Sequence, residues 1–190
     1  LKRQKPLLMG ILNITPDSFH DGGRYLAVDK ALAQLNALVA AGADIVDIGG
    51  ASSRPGHTPV SVTTELERLL PVLRRAQDCP VPLSVDTDQA EVAAAALAAG
   101  ASIINYSGGE LYQPIFTLAA KTQAPLIVMH RLGESGAHAD ICGEVEQFFR
   151  DCLELGRKNG VAPGQIILDP GFGFNKNFAE NMALLDALPR

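Results

Sequence analysis

The chain is poor in cysteine. Cys79, Cys142 and Cys152 are an odd number at irregular spacing, which indicates neither a disulfide framework nor a paired-cysteine metal site. They read as buried or incidental thiols. Positive charge is also scarce: 16 Lys and Arg against 21 Asp and Glu give a formal charge of −5, and no basic block appears that would neutralise phosphates along a nucleic acid. No nucleic-acid partner is expected. No apolar run approaches the about 20 residues that span a bilayer, and no charged-then-apolar segment leads into a small-residue cleavage site. Neither membrane nor export is expected, so the default location is cytoplasmic. A GxGxxG after the first strand-like run is missing too, which removes the usual dinucleotide fingerprint.

What is present is ordinary globular chemistry, 47% apolar and 19% charged over 190 residues, with no linker, so residues 1–190 read as one domain. Continuous apolar runs bounded by Gly, Pro or Asp read as strands: PLLMGILN (6–13), ADIVDIGG (43–50), PVPLSVDT (80–87), ASIINYSGG (101–109), APLIVMH (124–130) and QIILDPG (165–171). Unbroken rather than alternating apolarity predicts burial on both faces. Between them lie helical patterns at 25–42, 63–77, 90–100, 111–123, 144–160 and 179–188. Pro71 and Pro114 are expected to kink or shorten two of these. AAGADIVDIGG (40–50) is echoed by AAGASIINYSGG (98–109), a weak sign of a repeated unit. Six strand-then-helix units predict an α/β fold with parallel strands, either doubly wound or a (β/α)8-type barrel.

The six strand-like runs carry a polar residue at or near their carboxyl ends: Asn13, Asp47, Asp86, Asn105, His130 and Asp169. One such residue alone reads as a turn former or helix cap. Six together read as a ligand-binding rim, because loops after the strands build the site in barrels of this class. Aspartates and carboxamides suit a flat heterocycle, whose adjacent N–H and NH2 groups pair with a carboxylate. Metal chelation by the same carboxylates lacks a short fixed ligand spacing. IILDPGFGF (166–174) fits the first idea, since a carboxylate ending a buried run needs a partner.

MGILNITPDSFHDGGRY (9–25), DIVDIGGASSRPG (44–56), SVDT (84–87), GASIIN (100–105) and ILDPGFGFNKN (167–177) together resemble the signature segments of the dihydropteroate synthases, in order and over nearly the whole chain. The resemblance implies a TIM-type (β/α)8 barrel, of which six of eight units are visible. It implies an enzyme joining 4-aminobenzoate to 6-hydroxymethyl-7,8-dihydropterin diphosphate, with release of pyrophosphate in folate synthesis. Asp86, Asn105 and Asp169 would hold the pterin, and Asn13 would ligate Mg2+ on the diphosphate. Loops 15–23 and 51–57 would close over the site, bringing in Asp17 from the first and Ser53, Arg54 and Pro55 near the aminobenzoate, which Phe174 flanks. Asp86, Asp169, Arg54 and Asp17 would then be the catalytic set, and a homodimer is expected. A catalytically impaired pterin-binding homologue and a pterin-dependent methyltransferase domain, which would need a corrinoid partner, are the competing readings.

Several residues depart from the family pattern: Ala51 for Glu, Ser53 for Thr, Tyr106 for Asp, Arg131 for Met and Asn175 for Gly. Tyr106 is expected to disturb the rim beside Asn105. The family continues through strands 7 and 8, whose lysine and Arg-x-His have no counterpart here, so a fragment or a chain completed by a partner is expected. His130 reads as a hydrogen-bonded strand-end residue, Phe172 and Phe174 as a plug, and Lys176 as a turn cap.

Overall fold

A computed structural model describes residues 6–15, 23–51, 60–131 and 139–188. These fall into two compact units, one running to Asn105 and the other starting at Tyr106. The first contains β1 (Met9–Asn13), α1 (Gly23–Ala40), β2 (Ile45–Gly49), α2 (Val62–Arg75), β3 (Leu83–Asp86), α3 (Ala90–Ala98) and most of β4 (Ile103–Tyr106). The second contains α4 (Gln113–Thr122), β5 (Leu126–Met129), α5 (Ile141–Asn159), a 3-10 turn (Pro163–Gln165), β6 (Ile166–Asp169) and α6 (Phe178–Ala187). All the strands among these residues lie inside the runs read from the sequence, trimmed at both ends except for β1, which keeps the carboxyl end of its run at Asn13.

In the first unit β1 pairs with β2, β2 with β3 and β3 with β4, all parallel. Successive side chains in a strand point to opposite faces. Leu12, Val46, Ile48, Leu83 and Val85 form one face and are buried against Ala31 and Leu35 of α1, Leu69, Val72 and Leu73 of α2, and Val92 and Ala96 of α3. Burying each such aliphatic side chain contributes about 1.5–3 kcal/mol. The opposite face carries Ile11, Asn13, Asp47, Gly49, Ser84, Asp86, Ile103 and Asn105. In the second unit β5 and β6 pair parallel from Leu126↔Ile166 to Met129↔Asp169, and Ile141 and Val145 of α5 pack on Leu184 of α6.

Neither proline breaks its helix. Pro114 sits in the first turn of α4, where an N–H has no helical acceptor to lose. Pro71 lies inside α2 on its exposed side, and the helix nevertheless runs on to Arg75. The sequence echo is structural: Gly42 (φ 97°) and Gly100 (φ 119°) end α1 and α3 in the same left-handed conformation before β2 and β4.

Candidate active site at the strand ends

Parallel register places Asn13, Gly49, Asp86 and Asn105 at one level across β1 to β4. Three of these carry a polar side chain and the fourth carries none. A β-carbon on Gly49 would lie 3.2 Å from Oδ1 of Asn13 and 3.6 Å from Oδ2 of Asp86. The carboxamide and the carboxylate therefore flank the bare backbone of β2 from both sides. One level below, Asp47 shares a row with Ile11, Ser84 and Ile103. Asp47 is buried, and its Oδ2 accepts a hydrogen bond from Nδ2 of Asn105 at 2.8 Å. Burial pushes its pKa above the ordinary carboxylate value, opposed by Ser84 and by the Asn105 bond.

Behind the rim, α2 grips the end of β2. Ser61 caps the helix by accepting from the Thr64 N–H at 3.2 Å, so the first turn begins with Glu65 on the buried side. Glu65 is only 1% exposed. Its Oε2 accepts from Nε2 of Gln89 at 2.6 Å, and that amide also donates to the Val60 carbonyl at 3.4 Å. Arg68 Nη1 donates to the Gly50 carbonyl at 2.7 Å. Burial raises the Glu65 pKa against the hydrogen bonds from Thr87 and Gln89, with Asp88 adding to the rise and Arg68 opposing it. The segment after β3 is thus tied to a buried acid of α2, and the end of β2 to Arg68 of the same helix.

In the second unit Asp169 ends β6, and its Oδ1 accepts from the Gly171 N–H at 2.8 Å. Gly171 has φ 66°, and a β-carbon there would run into the main-chain oxygen of His130, so only glycine fits. Lys176 is buried and donates to the carbonyls of His130 (3.0 Å), Gly171 (2.9 Å) and Phe174 (3.4 Å), a turn cap made with a side chain. Burial lowers its pKa to about 8, opposed by the charges of Asp169 and Glu180. Phe174 is half-buried, Phe172 is exposed, and the buried His130 ring meets Phe148 edge-on at 5.2 Å. Cys152 is buried, its thiol pushed up to about 12 mainly by burial, and Cys79 and Cys142 are also free.

Tyr106 does not crowd the rim. Alternation along β4 sends it to the face opposite Asn105, where it is buried and stacks on Tyr112 with ring centroids 6.2 Å apart. Asn175 occupies a left-handed position (φ 56°), which asparagine tolerates better than most residues, so it stands in for glycine at small cost. Asp17, Ser53, Arg54 and Pro55 lie outside the described residues. Among the described residues no group of three or more His, Cys, Asp and Glu side chains is placed to hold a metal. None of the helices among these residues is long and apolar enough to cross a membrane.

Sequence reasoning gave Asp47 no role beyond its place near a strand end, and it missed Glu65, Arg68 and Gln89. A signal existed for Glu65: it falls on the stripe of Leu69, Val72 and Leu73 at helical spacing.

Parallel strand–helix units with polar residues at the carboxyl ends of the strands define an α/β protein of the class in which ligands bind at those ends. The chain matches the family of pterin binding enzymes over residues 9–190, and it belongs to that family. It is 44% identical over 194 residues to the dihydropteroate synthase of Synechocystis, covering 98% of this chain and 67% of that protein. The Xanthomonas albilineans dihydropteroate synthase crystallised with 4-aminobenzoic acid superposes with a TM-score of 0.92 at 41% identity, covering 98% of this chain and 69% of that one. The same enzyme in complex with 7,8-dihydropteroate gives 0.88 at 37% identity, covering 100% and 70%. Over its length the chain has the α/β fold of these (β/α)8 barrel enzymes, and it spans about two thirds of their length.

Proposed function

We propose that this chain carries the pterin-binding part of a dihydropteroate synthase, a transferase of folate synthesis. The reaction joins 4-aminobenzoate to 6-hydroxymethyl-7,8-dihydropterin diphosphate and releases pyrophosphate. Family membership, 44% identity to one such enzyme and the aminobenzoate and dihydropteroate bound by solved relatives support this reading. The observation that carries it is the row of Asn13, Asp86 and Asn105 around a glycine that leaves room for a planar guest.

In this reading Asp86, Asn105 and Asp169 hold the pterin ring, the carboxylates accepting from its N–H groups. The C–O bond to the diphosphate breaks with its electron pair leaving on pyrophosphate. Positive charge on the pterin methylene is then favoured by the two carboxylates. The aniline nitrogen attacks that carbon and gives up a proton. Phe174 flanks the aminobenzoate ring, and Asp17, Ser53, Arg54 and Pro55 belong to the loops that exclude water.

Asn13 is the residue we assign to Mg2+. Its exposed side chain offers a single oxygen beside the space over Gly49, which suits an ion that takes one or two protein ligands and completes its shell with substrate phosphates and water. When bound, the ion supplies charge neutralisation for the leaving pyrophosphate.

A cytoplasmic location and no nucleic-acid partner belong to the same proposal, supported by three free cysteines and a charge of −5. So does a homodimer, for which the exposed Phe178, Met182 and Leu185 along α6 offer apolar surface to bury. Sedimentation of the purified chain tests that part. The catalytic reading is tested by calorimetric titration with 6-hydroxymethylpterin, with and without pyrophosphate and magnesium. Asp86→Ala and Asp169→Ala are each expected to cost roughly 1.5–3 kcal/mol of affinity. Unchanged binding in both variants rejects the pocket.

A further inference from the structure

Asp47 sits one level below Gly49 on the site-facing side of β2 and is 5% exposed. A carboxylate this deep is costly unless hydrogen bonds meet it. Among the described residues, what favours its charge is Ser84 and Asn105. Ser84 stands level with Asp47 on β3, close enough to help but short of a full bond, since Oδ1 of Asp47 and Oγ of Ser84 are both buried and unbonded. The bond that is fully made is the one from Nδ2 of Asn105 at 2.8 Å, between residues 58 apart in the chain.

An ionised carboxylate accepts and never donates, whereas a carboxamide has one end of each kind. Asn105 must therefore turn its NH2 end toward Asp47, which leaves Oδ1 on the other side of the amide. Asp86, paired with Asn105 at the same level of the neighbouring strand, is also an acceptor when ionised. We infer that Asp47 is a positioning residue that fixes which end of the Asn105 amide meets the ligand, so that the site reads a donor group on the guest and rejects a ring offering a lone pair there. This rests on the reading of the rim as a pterin site, and it adds a specificity device beneath it.

The test uses the full chain as wild type, Asp47→Asn, Asn105→Ala and the double variant. Each is titrated calorimetrically with 6-hydroxymethylpterin, and the Asn105 side-chain amide is followed by 1H–15N NMR without ligand. Asn at 47 keeps the volume and offers either end to Asn105, releasing the flip. Asp47→Asn is expected to weaken binding about tenfold. In the Asn105→Ala background the same change is expected to do nothing further, which a purely structural role would not produce. The Asn105 amide protons should shift and lose protection in Asp47→Asn. Binding within twofold of wild type, or penalties that multiply in the double variant, would overturn the inference. A swap, Asp47→Asn with Asn105→Asp, restores a bond with the charge moved to the rim. It serves if the single variant does not fold: Asp at 105 still turns an acceptor toward the guest, so retained pterin binding supports the inference and its loss overturns it. A wild type that ignores pterin while its Asn105 amide still responds to Asp47→Asn rejects the proposed function and supports the positioning role. The converse result rejects the positioning role alone.

Discussion

The ammonium of Lys176 donates to the main-chain oxygen of His130 at 3.0 Å, across 46 residues, and fastens the turn after β6 to the end of β5. With Gly171 and Phe174 supplying further carbonyls, three N–H groups meet three acceptors. The side chain next to the proposed pterin aspartate is thus committed to the backbone.

Lys176→Met is expected to destabilise the chain by on the order of 3 kcal/mol, because buried carbonyls lose a charged donor. A pH signature should accompany it. The folded-state value of about 8 lies below the about 10.4 of an unfolded lysine, so between these values the unfolded chain binds more protons. Wild-type stability should therefore rise with pH across that window relative to Lys176→Met. Urea midpoints at several pH values measure this, and two parallel profiles would refute it.

Gly49→Ala separates folding from binding. The new methyl would sit 3.2 Å from Oδ1 of Asn13, which is exposed and free to shift, and 3.6 Å from Oδ2 of Asp86, an ordinary contact. Stability is expected to change by less than about 1 kcal/mol. Pterin affinity should fall at least about tenfold, since the group fills the space between the two polar side chains. Melting curves and titration on the same sample give both answers, and undiminished affinity would show that the ligand does not use this space.

Glu65 makes a test from a buried acid. Its pKa is raised above the ordinary 4.5, so its favourable contribution is complete below about that pH and is lost as pH rises through the folded-state value. Glu65→Gln keeps the shape and does not titrate. Its stability relative to wild type should increase as pH climbs above about 4.5. Glu65→Leu instead strands the Gln89 amide and should cost about 1–3 kcal/mol throughout. A Glu65→Gln profile parallel to wild type would rule out the buried-acid account.

The strands were legible because their apolar runs are unbroken, and helix stripes and glycines marked what lay between; the burial on both faces that such runs predict fails in β1 and β6, where Ile11 and Ile167 are exposed. Which way a given residue faces was not legible, because pairing between distant strands sets it. Tyr106 shows this: as a neighbour of Asn105 in sequence it reads as a neighbour at the rim, yet the pleat of β4 buries it on the other face, where it stacks on Tyr112. With it goes one motive for reading the chain as catalytically impaired. Asp47 was visible near a strand end, but its bond to Asn105 depends on the two-residue step down from Gly49, a fact of register. Lys176 and Glu65 look like surface charges until the carbonyls and amide around them are seen.

Because Asn13, Gly49, Asp86 and Asn105 meet only while four strands keep step, adding or deleting one codon inside any of them would turn its polar group toward the helices. Inheritance of such a site thus tolerates length drift in the connecting segments and forbids it within β1 to β4. The genetic record of descendants should show gaps falling around these short tracts and never through them.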